Sequence, residues 1–143
     1  MFKKLNFWGP IAVLLVALGF FLYAAFIETS FLSYPSLPLV TEIKSVKAGM
    51  IVPLKVDRCN SSDVEKEYLV THTLKNVVTE QIYILKGVPA SIKPGCSTNI
   101  SMINLIPAMT TPGRYQIYGR SETKGFIKKF AVTWYSDVFE VTR

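Results

Sequence analysis

The sequence is poor in the residues that most chemistry needs. It has one histidine, His72, and two cysteines, Cys59 and Cys96. No CxxC pair occurs, so the spacing of a structural zinc site is missing. Soft-metal binding would have to combine His72 with Met50, Met102 and Met109, which core packing in strands explains as well. No GxSxG elbow is present, and a Ser-His-Asp set would have to recruit His72 from mid-strand. There is no glycine-rich phosphate loop. Charge is not concentrated either: 16 Lys and Arg stand against 10 Asp and Glu, giving +6, and the cations are spread along the chain. Such a balance suits solubility and weak attraction to anionic surfaces more than nucleic-acid binding. The expectation is a non-enzyme with no cofactor, no metal and no nucleic-acid partner.

One run is almost free of polar groups. Phe7–Ile27 reads FWGPIAVLLVALGFFLYAAFI and carries no charge. About 20 apolar residues in a helix cover a hydrocarbon core of ~30 Å. Lys3 and Lys4 precede it and Glu28 follows, which favours the N-terminus in the cytoplasm and the rest outside. Trp8 suits the headgroup layer, and Gly9-Pro10 falls in the first turn, where a missing N–H costs little. A cleavable signal is the competing reading, with small residues at Ala17–Gly19 and Ala24-Ala25. The apolar region is long for a signal, and Leu22 is a poor residue three positions before a cut after Ala24. Ala17 and Ala24 share a helix face, but without a GxxxG pair they give little support for homo-oligomerisation through the span.

The chain divides into residues 1–6 (cytoplasmic), 7–27 (transmembrane helix), 28–40 (tether) and 41–143 (folded domain). The tether with the first residue after it, Glu28–Thr41, reads ETSFLSYPSLPLVT and is broken by Pro35 and Pro38. It is nevertheless apolar, through Phe31, Leu32, Tyr34, Leu37 and Leu39, so an extended arm lying on the interface or on the domain is expected. After it the pattern turns to alternation, the sign of half-buried strands. A short strand is expected over Thr41–Val46. Met50, Val52, Leu54 and Val56 share one face of the next. Glu65–Leu74 sets Tyr68, Val70, His72 and Leu74 opposite Glu67, Leu69, Thr71 and Thr73. Gln81–Leu85 is expected to end at Lys86–Pro89. Lys93-Pro94-Gly95 turns into Cys96–Leu105, with Ile100 and Met102 as core candidates. Arg114–Arg120 sets Tyr115, Ile117 and Gly119 on one face, and Phe126–Val141 is β-rich but interrupted at Ser136-Asp137, as one bent strand or two.

Seven or eight strands in about 100 residues, with no helical period among them, argue for an all-β antiparallel sandwich. Its best-marked piece is Pro112-Gly113-Arg114-Tyr115-Gln116-Ile117-Tyr118-Gly119, and with it the domain resembles immunoglobulin-like and fibronectin-III-like sandwiches. The resemblance implies a tyrosine corner at Tyr115. Two immunoglobulin marks are missing. Ile117 stands where a cysteine would follow Tyr115 by two positions, and Trp134 lies near the C-terminus rather than in a third strand.

Cys59 closes one expected strand and Cys96 opens another. In an oxidising compartment a disulfide between them follows; two free thiols are the alternative. Arg114, Arg120, Lys124, Lys128 and Lys129 fall in the last hairpin. They are a candidate basic edge for anionic headgroups, glycans or an acidic partner, or else a solvated edge protected by lysines. Asn60-Ser61-Ser62 and Asn99-Ile100-Ser101 match the glycosylation sequon, which matters only in a eukaryotic secretory pathway. The expected whole is a single-pass protein of the inner (plasma) membrane of a bacterium, or a phage or viral product acting there. It displays a binding or structural module to the periplasmic or extracellular side. Its partners would be the lipid bilayer and a protein. An accessory subunit of a larger membrane complex, or a secreted sandwich with a metal or catalytic role after signal cleavage, are the alternatives.

Overall fold

The computed structural model describes residues 5–143. Lys3 and Lys4, on which the orientation of the span rests, lie outside them. The apolar run forms one helix, α1 (Leu5–Phe26), with Pro10 in its early turns. Its Trp8–Phe26 portion is long and apolar enough to cross a membrane. Almost none of that surface is covered by the rest of the chain.

The remainder is two packed sheets built from ten strands: β1 (Leu32–Ser33), β2 (Val40–Thr41), β3 (Ser45–Lys47), β4 (Ile51–Asn60), β5 (Lys66–Asn76), β6 (Ile82–Ile92), β7 (Gly95–Leu105), β8 (Gly113–Lys124), β9 (Lys129–Tyr135) and β10 (Phe139–Thr142). In the first sheet β4 is central, with β7 on one side and the short β1 and β2 on the other. The second runs β6-β5-β8. Beyond β8 lie β9 and β10, two halves of one bent strand, and β3 pairs parallel with β10. Val52, Leu54, Tyr68, Val70, Leu74, Ile117, Trp134 and Val141 fill the space between the sheets. The inward face of β5 is the one its alternation predicts.

The arm after α1 belongs to the sandwich. Leu32 and Leu39 are core residues, and Phe31 and Tyr34 pack against them. It crosses between sheets repeatedly. β1 pairs with the end of β4, Leu39 bridges to Ser136, β2 returns to β4, and β3 goes over to β10. The strand expected over Thr41–Val46 is therefore two pieces in different sheets. Asp137 fixes the crossing: its Oδ1 accepts the Thr41 amide at 3.0 Å and the Thr41 hydroxyl at 2.7 Å, and Lys44 pairs with its other oxygen.

Two further expectations need correction. β6 does not end at Lys86–Pro89 but runs on to Ile92. It is an edge strand, where a proline's missing N–H removes no ladder bond on the outer side. A bulge between its Val88 and Leu85 pairings takes up the extra residue opposite Thr71. On β7, Ile100 and Met102 point outward and are exposed. Ser101 and Asn99 oppose Leu54 and Val56, so the inward face of this strand is polar.

Trp134 makes the tightest packing demand in the core. It lies directly across from Gly119 on β8, and a Cβ at Gly119 would fall inside its indole ring. The indole N–H donates to Ser121 Oγ at 3.2 Å, and that oxygen also meets Tyr34 Oη at 2.7 Å. Burial pushes the Tyr34 phenol up to about 12, so it stays a neutral hydroxyl in this cluster.

Two stability predictions follow from these contacts. Gly119→Ala should lower the urea midpoint by the equivalent of about 1–3 kcal/mol, the usual cost of overpacking; an unchanged midpoint would mean the indole can move aside. Cys59 and Cys96 sit directly opposite each other on β4 and β7 and form a disulfide. Replacing both by serine should cost about 3–4 kcal/mol, as expected for a loop of this length, measured by the same titration without reductant.

Candidate functional site

Strand register gives the sandwich two poles. Asn60 faces Gly95, Lys66 faces Ile92 and Lys124 faces Lys129, all at one pole. β1 joins that pole to the end of α1. The other pole carries the turns around Gly49, Val78 and Met109.

At the helix pole the β8–β9 turn grips the end of α1. Glu28 stands just past the helix, and its carboxylate accepts the backbone N–H of Phe126, and that of Ile127 at 3.3 Å. The Phe126 amide holds this carboxyl below the usual carboxylate range against the opposing effect of burial, with Ile127 and Lys128 assisting. Lys128 donates to the carbonyl of Ala25, one of the last-turn oxygens that lack helical partners, where a cation also suits the helix dipole. Gly125 leaves room for the Glu28 carboxylate, which a Cβ there would meet. The Phe126 ring sets itself edge-on to Phe20, with centroids 4.9 Å apart. Ala24 is buried, although most of α1 from Trp8 onward is exposed.

The five basic residues do not form one edge. Lys124, Lys128 and Lys129 cluster at the helix pole, Lys124 and Lys129 as a directly opposed pair. Arg120 lies further along β8, paired with Glu122 at 3.1 Å. Arg114 sits at the far end of the same strand, opposite Glu140. β8 is flanked on both sides, so its arginines occupy an interior strand. Beside the lysine pair is a shallow groove of about 420 Å³, lined by Glu67, Leu69, Pro89, Glu122, Lys124 and Lys129.

Tyr115 is fully buried, and its hydroxyl donates to the carbonyl of Thr111 at 2.8 Å. It ties the loop of the opposite pole to β8. Asn60 has a similar task at the helix pole. Its amide donates to the carbonyls of Val64 and Ile92 at 2.9 and 3.0 Å, and its oxygen accepts the Ser62 amide at 2.8 Å. That side chain is committed to holding the loop, so the first sequon is structural. Sequence inspection passes over the Glu28 grip, because its partners lie 98 and 99 residues away.

A second polar feature opens between the sheets at the β6–β7 side. Arg58 points inward, donates to Tyr68 Oη and lies with its guanidinium carbon 6.0 Å from that ring's centre. With Tyr34, Val88, Asn99 and Ser101 it lines a cleft of about 180 Å³. Four apolar side chains of this margin are exposed: Ile82 and Ile84 on β6, Ile100 and Met102 on β7.

His72 is buried on the core face of β5, edge-on to Trp134 at 5.3 Å. Met50, Met102 and Met109 are all exposed at the surface. Among the described residues, no three His, Cys, Asp or Glu side chains come together as a metal-binding group.

No protein-family model matches the chain, and no curated protein sequence does. Solved structures give partial likenesses. One is the Pseudomonas fluorescens alkylpurine DNA glycosylase AlkC bound to DNA containing an abasic site analog, with 14% identity and a TM-score of 0.43, over 81% of this chain and 32% of that one. Another is a β-glucosidase from Listeria innocua in complex with glucose, with 14% identity and a TM-score of 0.36, over 77% of this chain and 15% of that one. The chain thus spans a third or less of each. At these scores neither likeness bears on what this chain does.

Burial drives the His72 pKa down from 6.5 to about 4. Above 6.5 both folded and unfolded chains hold it neutral. As pH falls the unfolded chain takes up the proton first, so stability should decline through that window by about 3 kcal/mol in all. His72→Leu should flatten this part of the urea-midpoint profile; a slope equal to that of the parent would assign it to other groups.

Proposed function

We propose that this is a single-pass membrane protein that holds an immunoglobulin-like or fibronectin-III-like sandwich at the extracytoplasmic face as a non-catalytic binding or structural module. The observation that carries the reading is the bare surface of α1. A helix apolar on every side, touched by its own domain only near one end, needs a nonaqueous environment along its length. The strand order supports the finer fold assignment: β1/β2, β4 and β7 in one sheet, against β6, β5, β8 and β9/β10 with β3 added. The Tyr115–Thr111 bond at the start of β8 is a tyrosine-corner contact. The disulfide supports an oxidising compartment. The bacterial inner membrane, in a bacterial or phage context, remains the setting we favour.

A second reading, an accessory subunit of a larger membrane complex, is favoured by the β6–β7 margin. Both are long edge strands that each expose two large apolar residues among polar ones, which solvent-facing edges usually avoid. Met109 (91% exposed) and Val78 (75% exposed) at the far pole add to it. Purification in mild detergent separates the two readings, since a stoichiometric companion favours the subunit.

For the anchor, the full chain should stay in the membrane pellet after alkaline carbonate extraction. Its domain should be open to protease added from the extracytoplasmic side, and deletion of residues 1–27 should release a folded domain. A mature protein whose intact mass lacks the first 19–27 residues would replace the anchor with a cleaved signal.

A further inference from the structure

The turn that grips α1 does more than join β8 to β9. Its tip, Gly125-Phe126-Ile127, puts two large apolar side chains at the surface, with Phe126 76% exposed although it touches Phe20. A domain has no folding reason to leave phenylalanine and isoleucine at a hairpin apex, where polar turn residues serve better.

The place of that apex along the helix gives it meaning. Phe20 lies six residues before Phe26, so about 9 Å back along the axis at 1.5 Å per residue. The 22 residues of α1 extend for about 33 Å, close to the ~30 Å hydrocarbon thickness, so the helix has little length to spare outside the core. A ring in contact with Phe20 is therefore on the hydrocarbon side of the helix end. The polar atoms of the turn are handled consistently. The amides of Phe126 and Ile127 are taken by Glu28, and Lys128 is held on the Ala25 carbonyl. The tip thus enters with its leading N–H groups satisfied, as low-dielectric surroundings demand.

Immediately behind the apex, Lys124 and Lys129 oppose each other across the ladder. Like charges in direct opposition are unfavourable in a sheet unless anions lie beside them, and Glu67 and Glu122 in the adjoining groove offset the pair only in part. Phosphate headgroups at the bilayer surface supply further negative charge at that level, while the long lysine stems reach along the interface.

We propose that the β8–β9 tip is a second membrane contact: Phe126 and Ile127 insert beside α1 into the leaflet nearest the domain, and Lys124 and Lys129 meet the lipid phosphates. The sandwich is then held at two points and in one orientation, with the β6–β7 margin and the far pole presented to the outside. This rests on the membrane-anchor reading above.

Depth-dependent quenching tests it on the full chain in vesicles of phosphatidylcholine with phosphatidylglycerol. In a Trp8→Phe background, Phe126→Trp and, separately, Ile127→Trp report on the tip, and Val78→Trp reports on the far pole. The remaining Trp134 signal is subtracted with the background protein. With phosphatidylcholine brominated at a shallow acyl position, the tip reporters should be blue-shifted and lose half or more of their added emission, and the Val78→Trp reporter almost none. Tip reporters no more quenched than Val78→Trp, in protein that resists carbonate extraction, would overturn the insertion and leave the anchor standing. Protein extracted by carbonate would overturn the anchor, and the insertion with it.

Discussion

The orientation of the sandwich on its helix depends on one carboxylate. Glu28 sits where the helix stops, and the groups it accepts come from the other end of the chain. Without it, the amides of Phe126 and Ile127 would need water, and the turn could not lie against α1. With it, the helix end, the hairpin and the first strand become one unit, reinforced by Lys128 on Ala25 and by the ring pair Phe20–Phe126. The arm has no slack to act as a flexible stalk. Leu32 enters the core only six residues after the last residue of α1.

The rest of the domain is built around a small polar knot in an apolar interior. Ser121 brings Trp134 and Tyr34 together, and Gly119 gives the indole its space. Through Tyr34 the arm is tied to the same knot, so both its hydrogen bonds and its buried leucines draw it into the sandwich. His72 packs edge-on against Trp134 and is held neutral there by burial. A protonatable ring in that position gives specificity to the packing at ordinary pH and a liability in acid.

The central strands were legible because their alternation is strict and both neighbours are protein. Tyr68, Val70, His72 and Leu74 on β5, and Tyr115, Ile117 and Gly119 on β8, face inward as their spacing requires. The helix and the paired cysteines were legible for equally local reasons. The edges were not. Pro89 looked like a stop because the missing N–H matters only if a neighbour needs it, and β6 has none on that side. Ile100 and Met102 looked like core because hydrophobicity was the only cue to direction; β7 instead turns polar residues toward the Arg58 cleft. The basic residues looked like one patch because nearness in sequence along a 12-residue strand is not nearness in space. The Glu28 grip has no local signature at all.

The laced arm also bears on the order in which the molecule can be made. β3 is laid down early, yet among the described residues its only ladder partner is β10, and Leu39 waits for Ser136. A chain emerging in order can pair β4 with β7, and β5 with β6, before β9 and β10 are available. It cannot close the second sheet or bury Leu39 until the last strand emerges. Until then Leu39 is uncovered, and the arrival of Ser136 and β10 is what seals the fold.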